Sequence, residues 1–296
     1  MSVDNVKKID LHMHTIISDG TDSPEEILGK VKKAGINVFA ITDHDAIRSS
    51  TIVPDLLKEG DPKFLCGVEF SCKDDLGKYH ILGYGYDPHT DGIQWVVDLG
   101  HSYRIKKVKS RFEFLTKEFG FVFPQEELDK IYALENPGKP HIGNLMTQLG
   151  FAESKEDAIK NYINKIHFKS EYVKPEEAIK GILASGGIPV LAHPVYGSGD
   201  QLILGEDMEK RLIHLMDYGL KGVEAFYSGF TKRMTENMLE FAKKYGLYTT
   251  AGSDYHGKNK MIELGDTGFF GSDEIVEHAH KFLEAIEPKL YEYSAK

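Results

Sequence analysis

Amphipathic helical stretches alternate with short apolar stretches along much of the chain. In the first example, residues 23–35 carry apolar side chains at helical spacing between Ser23-Pro24 and Gly35, and an apolar run begins at Val38. Serine is a favoured helix N-cap, proline fits the first helical turn, and glycine commonly ends a helix. The same order of helix, glycine and apolar run recurs in residues 175–193, 208–226 and 235–256.

This alternation predicts a parallel sheet with helices on its faces, since nearly continuous apolar strands are typical of sheets buried on both sides. Residues 92–172 break the pattern, because helical stretches follow one another there with one weak strand candidate at Phe121–Phe123. We therefore predict an α/β domain of residues 1–91 and 173–296, interrupted by an inserted helical cap domain at residues 92–172. Alternatively, the insertion could serve only in packing or in dimerisation.

Imidazole and carboxylate side chains follow several of the apolar runs. Alternate residues of a strand face the same side, so His12 and His14 are expected to project together. In an isolated pair, one core histidine and one solvated histidine would be an equally good interpretation. Functional sites of parallel α/β folds collect at the carboxyl ends of the strands. If the sheet closes into a barrel, residues far apart in sequence should therefore meet in one pocket.

Nine side chains form the candidate metal-binding set: His12, His14, Asp19, His44, Glu69, His80, His193, Asp254 and His256. A catalytic ion usually takes three or four protein ligands, so nine predict two or three divalent ions. Mixed nitrogen and oxygen ligands favour zinc, iron or manganese over calcium or magnesium. Glu69 has two carboxylate oxygens and could bridge two ions.

Composition and charge exclude several classes of function. The net charge of −10 argues against broad binding to duplex DNA. No run of 18 apolar residues and no signal-peptide pattern is visible, so we expect no membrane association and a cytoplasmic protein. The two cysteines, Cys66 and Cys72, cannot form a disulfide framework and are interpreted as reduced thiols.

A locally basic stretch, residues 103–111, stands out within the acidic chain. On a helix Arg104, Lys107 and Arg111 share one face, which suits phosphate oxygens. A solvated helix face is the alternative interpretation of such a run.

The combined motifs resemble the PHP (polymerase and histidinol phosphatase) family. They are His12-Met-His14, Thr42-Asp-His44, Gly67-Val-Glu69, His80, His193-Pro194 and Gly252-Ser-Asp-Tyr-His256, in the family's order and approximate spacing. The resemblance implies a distorted (β/α)7 barrel, which is similar to a TIM barrel. The insertion between His80 and His193 looks like that of the stand-alone PHP phosphoesterases, which act on AMP, 3′,5′-bisphosphorylated nucleosides or short RNAs.

The same resemblance implies three ion sites. Their ligands would be His12, His14, Glu69 and Asp254 for the first ion, Glu69, His80 and His193 for the second, and Asp19, His44 and His256 for the third. Several relatives carry a histidine where Asp19 stands, so the third site departs from the family pattern. Asp43 is expected to orient a ligating histidine.

The expected reaction is hydrolysis of phosphate monoesters of nucleotides, or of short RNA ends, through a hydroxide that bridges two metal ions. Asp43, Asp254 and His256 are the candidate catalytic residues, and either of the last two would protonate the leaving group. The resemblance also implies substrate contacts by Arg104, Lys139 and His141. An arginine that relatives often carry near the last two is missing here.

Three rival functions remain. A histidinol-phosphate phosphatase would use the same metal ligands. An amidohydrolase also begins with His-x-His after its first strand, but it lacks the Thr-Asp-His element that Thr42-Asp43-His44 supplies here. A metal-binding PHP module without turnover is the alternative outside the enzymes.

Overall fold

The computed structural model describes residues 5–166, 171–197 and 201–293. Contacts divide the chain into two compact units, residues 1–97 with 173–296, and residues 98–172. The helices of the described residues are α1 (Pro24–Lys33), α2 (Arg48–Leu56), α3 (Asp91–Phe119), α4 (Gln125–Tyr132), α5 (Lys139–Gln148), α6 (Lys155–Asn161), α7 (Pro175–Ala184), α8 (Gly205–Tyr218), α9 (Lys232–Tyr245) and α10 (Ser272–Ile286).

The first unit is built on one sheet of seven described strands. They are β1 (Ile9–Asp10), β2 (Val38–Ile41), β3 (Lys63–Asp74), β4 (Gly77–Tyr84), β5 (Ile188–Leu191), β6 (Gly222–Tyr227) and β7 (Tyr248–Gly252), and they neighbour one another in chain order. The backbone N–H of Leu11 donates to the carbonyl of Ala251 at 2.9 Å, and Met13 bridges to Tyr255. These contacts join the first strand to the last, which confirms the expected distorted (β/α)7 barrel.

The helix ends follow the sequence signals. Ser23 caps α1, because its hydroxyl accepts the N–H of Glu26 while the Glu26 carboxylate accepts the N–H of Ser23. This reciprocal pair is a capping box. Gly219 ends α8 with a left-handed φ of 107°, a conformation that glycine adopts without strain.

The sheet is not parallel throughout, which corrects the prediction from the helix–strand alternation. β3 continues to Asp74, turns at residues 75–76 and pairs antiparallel with β4, and β4 in turn pairs antiparallel with β5. A two-residue connection can join only antiparallel strands, because a parallel pair needs a crossover of about a dozen residues. Glu69 therefore lies within a strand, and His80 enters the barrel from the returning strand.

Strands of the barrel are buried on both faces, the one toward the barrel interior and the one toward the surrounding helices. Every residue of β2 and of β6 is buried, as the continuous apolar runs predict. One charged side chain, Glu224 of β6, interrupts this apolar layer with no exposed surface. A buried charge of this kind requires a partner.

The second unit, residues 98–172, is helical and has its own core. Phe112, Leu115 and Met146 belong to that core. The strand expected at Phe121–Phe123 does not form in this described stretch. Its aromatic side chains pack inward instead: Phe121 stacks on Phe151 with ring centroids 4.6 Å apart, and Phe123 meets Phe112 edge-on at 4.8 Å. The role of this unit as a cap remains a prediction.

Within the residues that the structure describes, no helix combines the length and the apolar character needed to span a membrane.

Candidate metal centre

His12 and His14, just after β1, are both fully buried on one face of the chain. Their Nε2 atoms lie 3.3 and 3.2 Å from Oε2 of Glu69. The same two atoms lie 3.6 and 3.4 Å from Oδ1 of Asp254. The interpretation of one core histidine and one solvated histidine is therefore wrong, because both rings point at the same carboxylates.

Glu69 lies at the centre of the cluster and is only 1% exposed. Its Oε2 faces His12, His14 and the Nδ1 of His44, the last at 3.1 Å. Its Oε1 faces Nδ1 of His80 at 2.9 Å and Nε2 of His193 at 3.1 Å. The two oxygens thus serve two different groups of histidines, which is the arrangement that a bridging carboxylate requires.

Asp19, His44 and His256 group around His14, and each is more exposed than the fully buried His14 side chain. Nε2 of His256 is 3.2 Å from Oδ1 of Asp19, and Nε2 of His44 is 3.9 Å from Oδ2 of Asp19. The ring of His256 stacks on that of His14 with centroids 4.0 Å apart. Asp19 is the most open member of this group, with its side chain 46% exposed.

The electrostatics reflect this mixture of imidazoles and carboxylates. Burial lowers the pKa of His14, but Asp254 and Glu69 outweigh it and raise the pKa to about 9. Burial dominates at His44 and lowers its pKa to about 3. Burial alone would raise the pKa of Glu69, yet the histidines around it, His80 and His44 foremost, hold that pKa well below its usual range.

The donor set fits divalent cations. Three overlapping groups have ligand atoms within 4.8 Å of one another: His14, Asp19, His44 and His256; His12, His14 and Asp254; and His44, Glu69 and His80. Ligand atoms held about 2.1 Å from a cation lie roughly 3–4 Å apart. Among the described residues, Nε2 of His12 and Nε2 of His14 are buried without a hydrogen-bond partner. Such unsatisfied buried atoms are destabilising unless something else, here a cation, binds them.

Asp43 is buried but does not join this group of ligand atoms. Its carboxylate accepts hydrogen bonds from the N–H of Thr15 and from the hydroxyls of Ser18 and Ser49. The Ser18 hydroxyl lies 3.4 Å from Nδ1 of His14. Asp43 therefore reaches a candidate ligand through Ser18, and its direct action on a histidine or a substrate remains a prediction.

Glu224 is a residue of the site that sequence reasoning missed. Its Oε1 lies 2.9 Å from Nδ1 of His12, and its Oε2 accepts the backbone N–H of His193 at 2.7 Å. A glutamate in the middle of the otherwise apolar run of residues 222–227 was the available signal. The pattern alone places it only within a buried strand.

Tyr227 and Lys260 were also missed, and both contact Asp254. The Tyr227 hydroxyl donates to Oδ2 of Asp254 at 2.9 Å, and Nζ of Lys260 lies 2.5 Å from the same oxygen. Oδ1 of Asp254 is left facing His12 and His14. Lys260 stands four residues after His256, and this proximity to the last histidine motif could have indicated it.

Two candidate ligands have strained backbone. His193 and Asp254 have φ values of 24° and 57°, in the left-handed region that non-glycine residues rarely adopt. Strain of this kind clusters at functional sites, where the surrounding structure holds it in place.

Arg104, Lys139 and His141 belong to the second unit. Arg104 lies on α3, and the other two residues lie in the first turn of α5. Nζ of Lys139 donates to Oδ1 of Asn164 at 2.5 Å, and the N–H of Gly138 donates to Nδ1 of His141 at 3.2 Å. Their contact with a substrate remains a prediction.

Comparisons with known proteins indicate the class of enzyme. The 5′-3′ exoribonuclease of Haemophilus influenzae is 29% identical over 264 residues, which cover 88% of this chain and 93% of that protein. The phosphoribosyl 1,2-cyclic phosphate 1,2-diphosphodiesterase of Eggerthella lenta is 28% identical over 259 residues, with coverages of 84% and 94%. Both relatives are hydrolases of phosphoric esters, which confirms the expected enzyme class.

A solved structure is similar over nearly the whole length. The protein comes from Bifidobacterium adolescentis and was assigned to the metal-dependent phosphoesterases. The two chains align with a TM-score of 0.75 and 26% sequence identity, and the alignment covers 94% of this chain and 96% of the other. A model of the PHP domain matches residues 10–289. Since that match covers almost the whole chain and includes all nine candidate ligands, the chain belongs to the PHP domain family.

Proposed function

We propose that this protein is a metal-dependent phosphoesterase that hydrolyses phosphate monoesters of nucleotides, such as AMP or 3′,5′-bisphosphorylated nucleosides, or acts on short RNA ends. The observation that carries this proposal is the central position of Glu69. Its two oxygens face separate histidine groups at distances of 2.9 to 3.3 Å. Such an arrangement suits two cations that act on one phosphoryl group.

Residues from six different strands or strand ends would hold two or three ions of zinc, iron or manganese. The proposed ligands are His12, His14, Glu69 and Asp254 for one ion, Glu69, His80 and His193 for a second, and Asp19, His44 and His256 for a third. Divalent cations in such sites polarise phosphoryl oxygens and neutralise their negative charge.

The chain's own side chains would then orient the cluster and the substrate. Tyr227 keeps its proton, because burial and the nearby Asp254 raise the pKa of its phenol far above neutrality. It can therefore only donate to Asp254, which fixes that carboxylate. Lys260 pairs with the same carboxylate while 37% of its side chain stays exposed, so its ammonium can also reach a phosphate oxygen at the surface.

His256 is the proposed proton donor to the leaving group. Burial alone would raise the pKa of Asp254, but His12 and His14 outweigh it and hold that pKa well below its usual range, so Asp254 stays ionised and is proposed as a metal ligand rather than as a proton donor. Nδ1 of His256 lies 2.8 Å from the Asp254 carbonyl, so this nitrogen donates and Nε2 is left to bind or to carry a proton. Nε2 lies 3.2 Å from Oδ1 of Asp19, which could hold a proton on it. Asp43 would support His14 through Ser18.

The helical unit is proposed to supply further phosphate contacts through Arg104, Lys139 and His141. Arg104 and Lys107 lie on one face of α3 by their spacing, and Nζ of Lys107 already lies 3.4 Å from the ring centre of Tyr172 within the same unit. A short RNA with a 5′ phosphate is the second candidate substrate. The similarity of this chain to the 5′-3′ exoribonuclease of Haemophilus influenzae supports this second candidate.

The decisive experiment is phosphate release from a panel of esters. The panel contains AMP, 3′,5′-bisphosphorylated adenosine, histidinol phosphate and short 5′-phosphorylated RNAs, each with manganese, iron or zinc supplied separately. We expect hydrolysis of a nucleotide or an RNA with metal, and none after chelation. Hydrolysis of histidinol phosphate alone would favour the rival phosphatase, and metal binding without any hydrolysis would favour a non-catalytic module.

A further inference from the structure

Glu224 connects two candidate ligands that come from different parts of the barrel. His12 follows β1, His193 follows β5, and Glu224 lies on β6 between them in the fold. One carboxylate oxygen contacts the His12 side chain and the other accepts the His193 backbone N–H, at 2.9 and 2.7 Å. His12 belongs to the first proposed ion site and His193 to the second, so a single buried carboxylate bears on both sites.

The contact with His12 determines which of its nitrogens can bind a metal. A carboxylate accepts hydrogen bonds, so a neutral His12 that faces Glu224 must carry its proton on Nδ1. Nε2 then keeps its lone pair, and this is the atom that faces Glu69 and Asp254. Histidine ligands in metalloproteins are commonly held in one tautomer by a carboxylate on the opposite nitrogen.

The contact with His193 acts on the backbone instead. His193 has a φ of 24°, which non-glycine residues rarely adopt. Its N–H donates to Oε2 of Glu224, and its Nε2 lies 3.1 Å from Oε1 of Glu69. A hydrogen bond to a charged acceptor can hold such a conformation and so keep the ring directed at Glu69.

The packing around Glu224 shows that its position is tightly constrained. The register between β6 and β7 shifts between Glu224 and Phe226, and bulges of this kind redirect side chains. Residue 252 on β7 is glycine, and an added Cβ there would lie 2.5 Å from Oε1 of Glu224. The side chain has no exposed surface. Little room is therefore left for another rotamer.

We infer that Glu224 is a positioning residue of the metal centre, which holds His12 in the Nδ1–H tautomer and fixes the strained His193 backbone. This inference rests on the proposed metal-dependent function. Glu224 belongs to none of the three groups of candidate ligand atoms found among the described residues. Its effect would pass to the metal through the orientation and the tautomer of the two histidines.

The test compares zinc binding by the full-length wild-type protein and by Glu224→Gln, measured by competition with a chelator. Glutamine keeps the shape of the side chain, but its amide has one acceptor oxygen and one NH₂ donor. It can therefore accept a hydrogen bond from His12 or from the His193 N–H, but not from both. We expect zinc affinity to fall roughly 10- to 100-fold, as is typical for partners of metal-bound histidines. Equal affinity in the two proteins would overturn the inference.

Thr250→Val is the matched control. Thr250 pairs with Glu224 across β6 and β7 and is fully buried, and valine has nearly the same shape as threonine. Its zinc affinity should stay near that of the wild type. An equal loss in both variants would mean that any disturbance of this layer weakens the site, and the specific role of Glu224 would be rejected.

A second measurement on the wild type remains decisive even if Glu224→Gln does not fold. Nitrogen NMR of the zinc-loaded protein should show His12 protonated at Nδ1 and metal-bound at Nε2, with the signal assigned by its loss in His12→Gln. The opposite tautomer would refute the inference. Failure of the wild type to bind zinc, manganese or iron would instead refute the proposed function, so the two failures are distinguishable.

Discussion

At the scale of single residues, the cluster depends on carboxylates that each serve several histidines. Glu69 contacts histidines through both oxygens, and Asp254 faces His12 and His14 with Oδ1 while Tyr227 and Lys260 hold Oδ2. Removing one carboxylate therefore disturbs more than one proposed ligand.

Glu69→Gln should abolish turnover, because an amide carries no charge and only one acceptor oxygen for two histidine groups. We expect kcat to fall by at least about 1000-fold, in the range seen when a group essential to the transition state is lost. Asp74→Asn is the control, since Asp74 lies on the same strand and pairs with His214 at 2.8 Å outside the cluster. A near-normal kcat for Glu69→Gln in steady-state assays would contradict the bridging role.

Lys260→Gln should raise KM more than it lowers kcat. Loss of a charge-assisted contact to phosphate at a partly exposed site is worth about 1.4 kcal/mol, or roughly tenfold in KM. Lys258→Gln is the control, because Lys258 is a nearby exposed lysine. Steady-state kinetics with equal metal content in all proteins would measure the difference. An unchanged KM would place Lys260 outside substrate binding.

Metal affinity should rise with pH through the neutral range. Asp254 and Glu69 raise the pKa of His14 from 6.5 to about 9, so the metal-free fold keeps this imidazole protonated at neutral pH. A cation binds the neutral ring and must displace that proton, so affinity should climb until pH reaches about 9.

The proton on His14 also stabilises the metal-free fold. This contribution is fully present below pH 6.5 and is lost as pH rises through about 9. Chelator competition at several pH values measures the metal affinity. His214→Gln, outside the cluster, should leave the slope unchanged, and a flat profile in the wild type would contradict the argument.

At the scale of elements, the barrel brings the site together through close approach of its strands. β7 runs beside the start of the chain, where the N–H of Asp254 donates to the carbonyl of His12 at 2.8 Å. The β3–β4 hairpin adds His80 opposite Ser71, two residues along the strand from Glu69. Strand pairing therefore determines where the candidate ligands lie relative to one another.

Gly252→Ala should destabilise the fold and weaken metal binding together. The new methyl group would overlap His12 Cβ and Oε1 of Glu224, so β7 must move away. Overpacking of this kind typically lowers the free energy of unfolding by about 1–3 kcal/mol. Gly29→Ala is the control, because a Cβ there meets nothing within 4 Å and a helical alanine should stabilise slightly. Urea unfolding with and without zinc would measure both effects.

At the scale of the whole molecule, each strand of the barrel contributes to one cluster. Ligand candidates come from β3 and β4 and from the residues that follow β1, β2, β5 and β7, while β6 supplies Glu224. Ions bound at this cluster would tie together segments separated by up to 244 positions, from His12 to His256. Metal binding and global stability should therefore be coupled.

Removal of metal should lower the unfolding temperature of the protein. A cation that binds only the folded state stabilises it by about 2.7 kcal/mol at 100 times its Kd. For a domain of this size that corresponds to a shift of roughly 5–10 °C. Calorimetry before and after chelation measures the shift, and readdition of metal should restore both the unfolding temperature and the activity. No shift in a protein that binds metal with high affinity would contradict the coupling.

The sequence by itself determined the elements and the chemistry of the candidate ligands. Helix signals such as Ser23-Pro24 and the apolar runs act locally, through capping and burial, so the helices and most strands could be predicted. The histidine and carboxylate motifs indicated which side chains would meet, because the ends of barrel strands share one rim. Their positions in the structure agree with that expectation.

Only the tertiary structure decided the remaining features. The direction of β4 depends on a two-residue turn and on pairing with β5, and Asp43 is held by hydroxyls from two other segments. Glu224 and Tyr227 could not be assigned from local pattern, since a glutamate in an apolar strand shows that a partner exists without naming it. His12, the partner of Glu224, lies 212 positions away in the chain, and Asp254, the partner of Tyr227, lies 27 positions away. Only folding brings such atoms within hydrogen-bond distance.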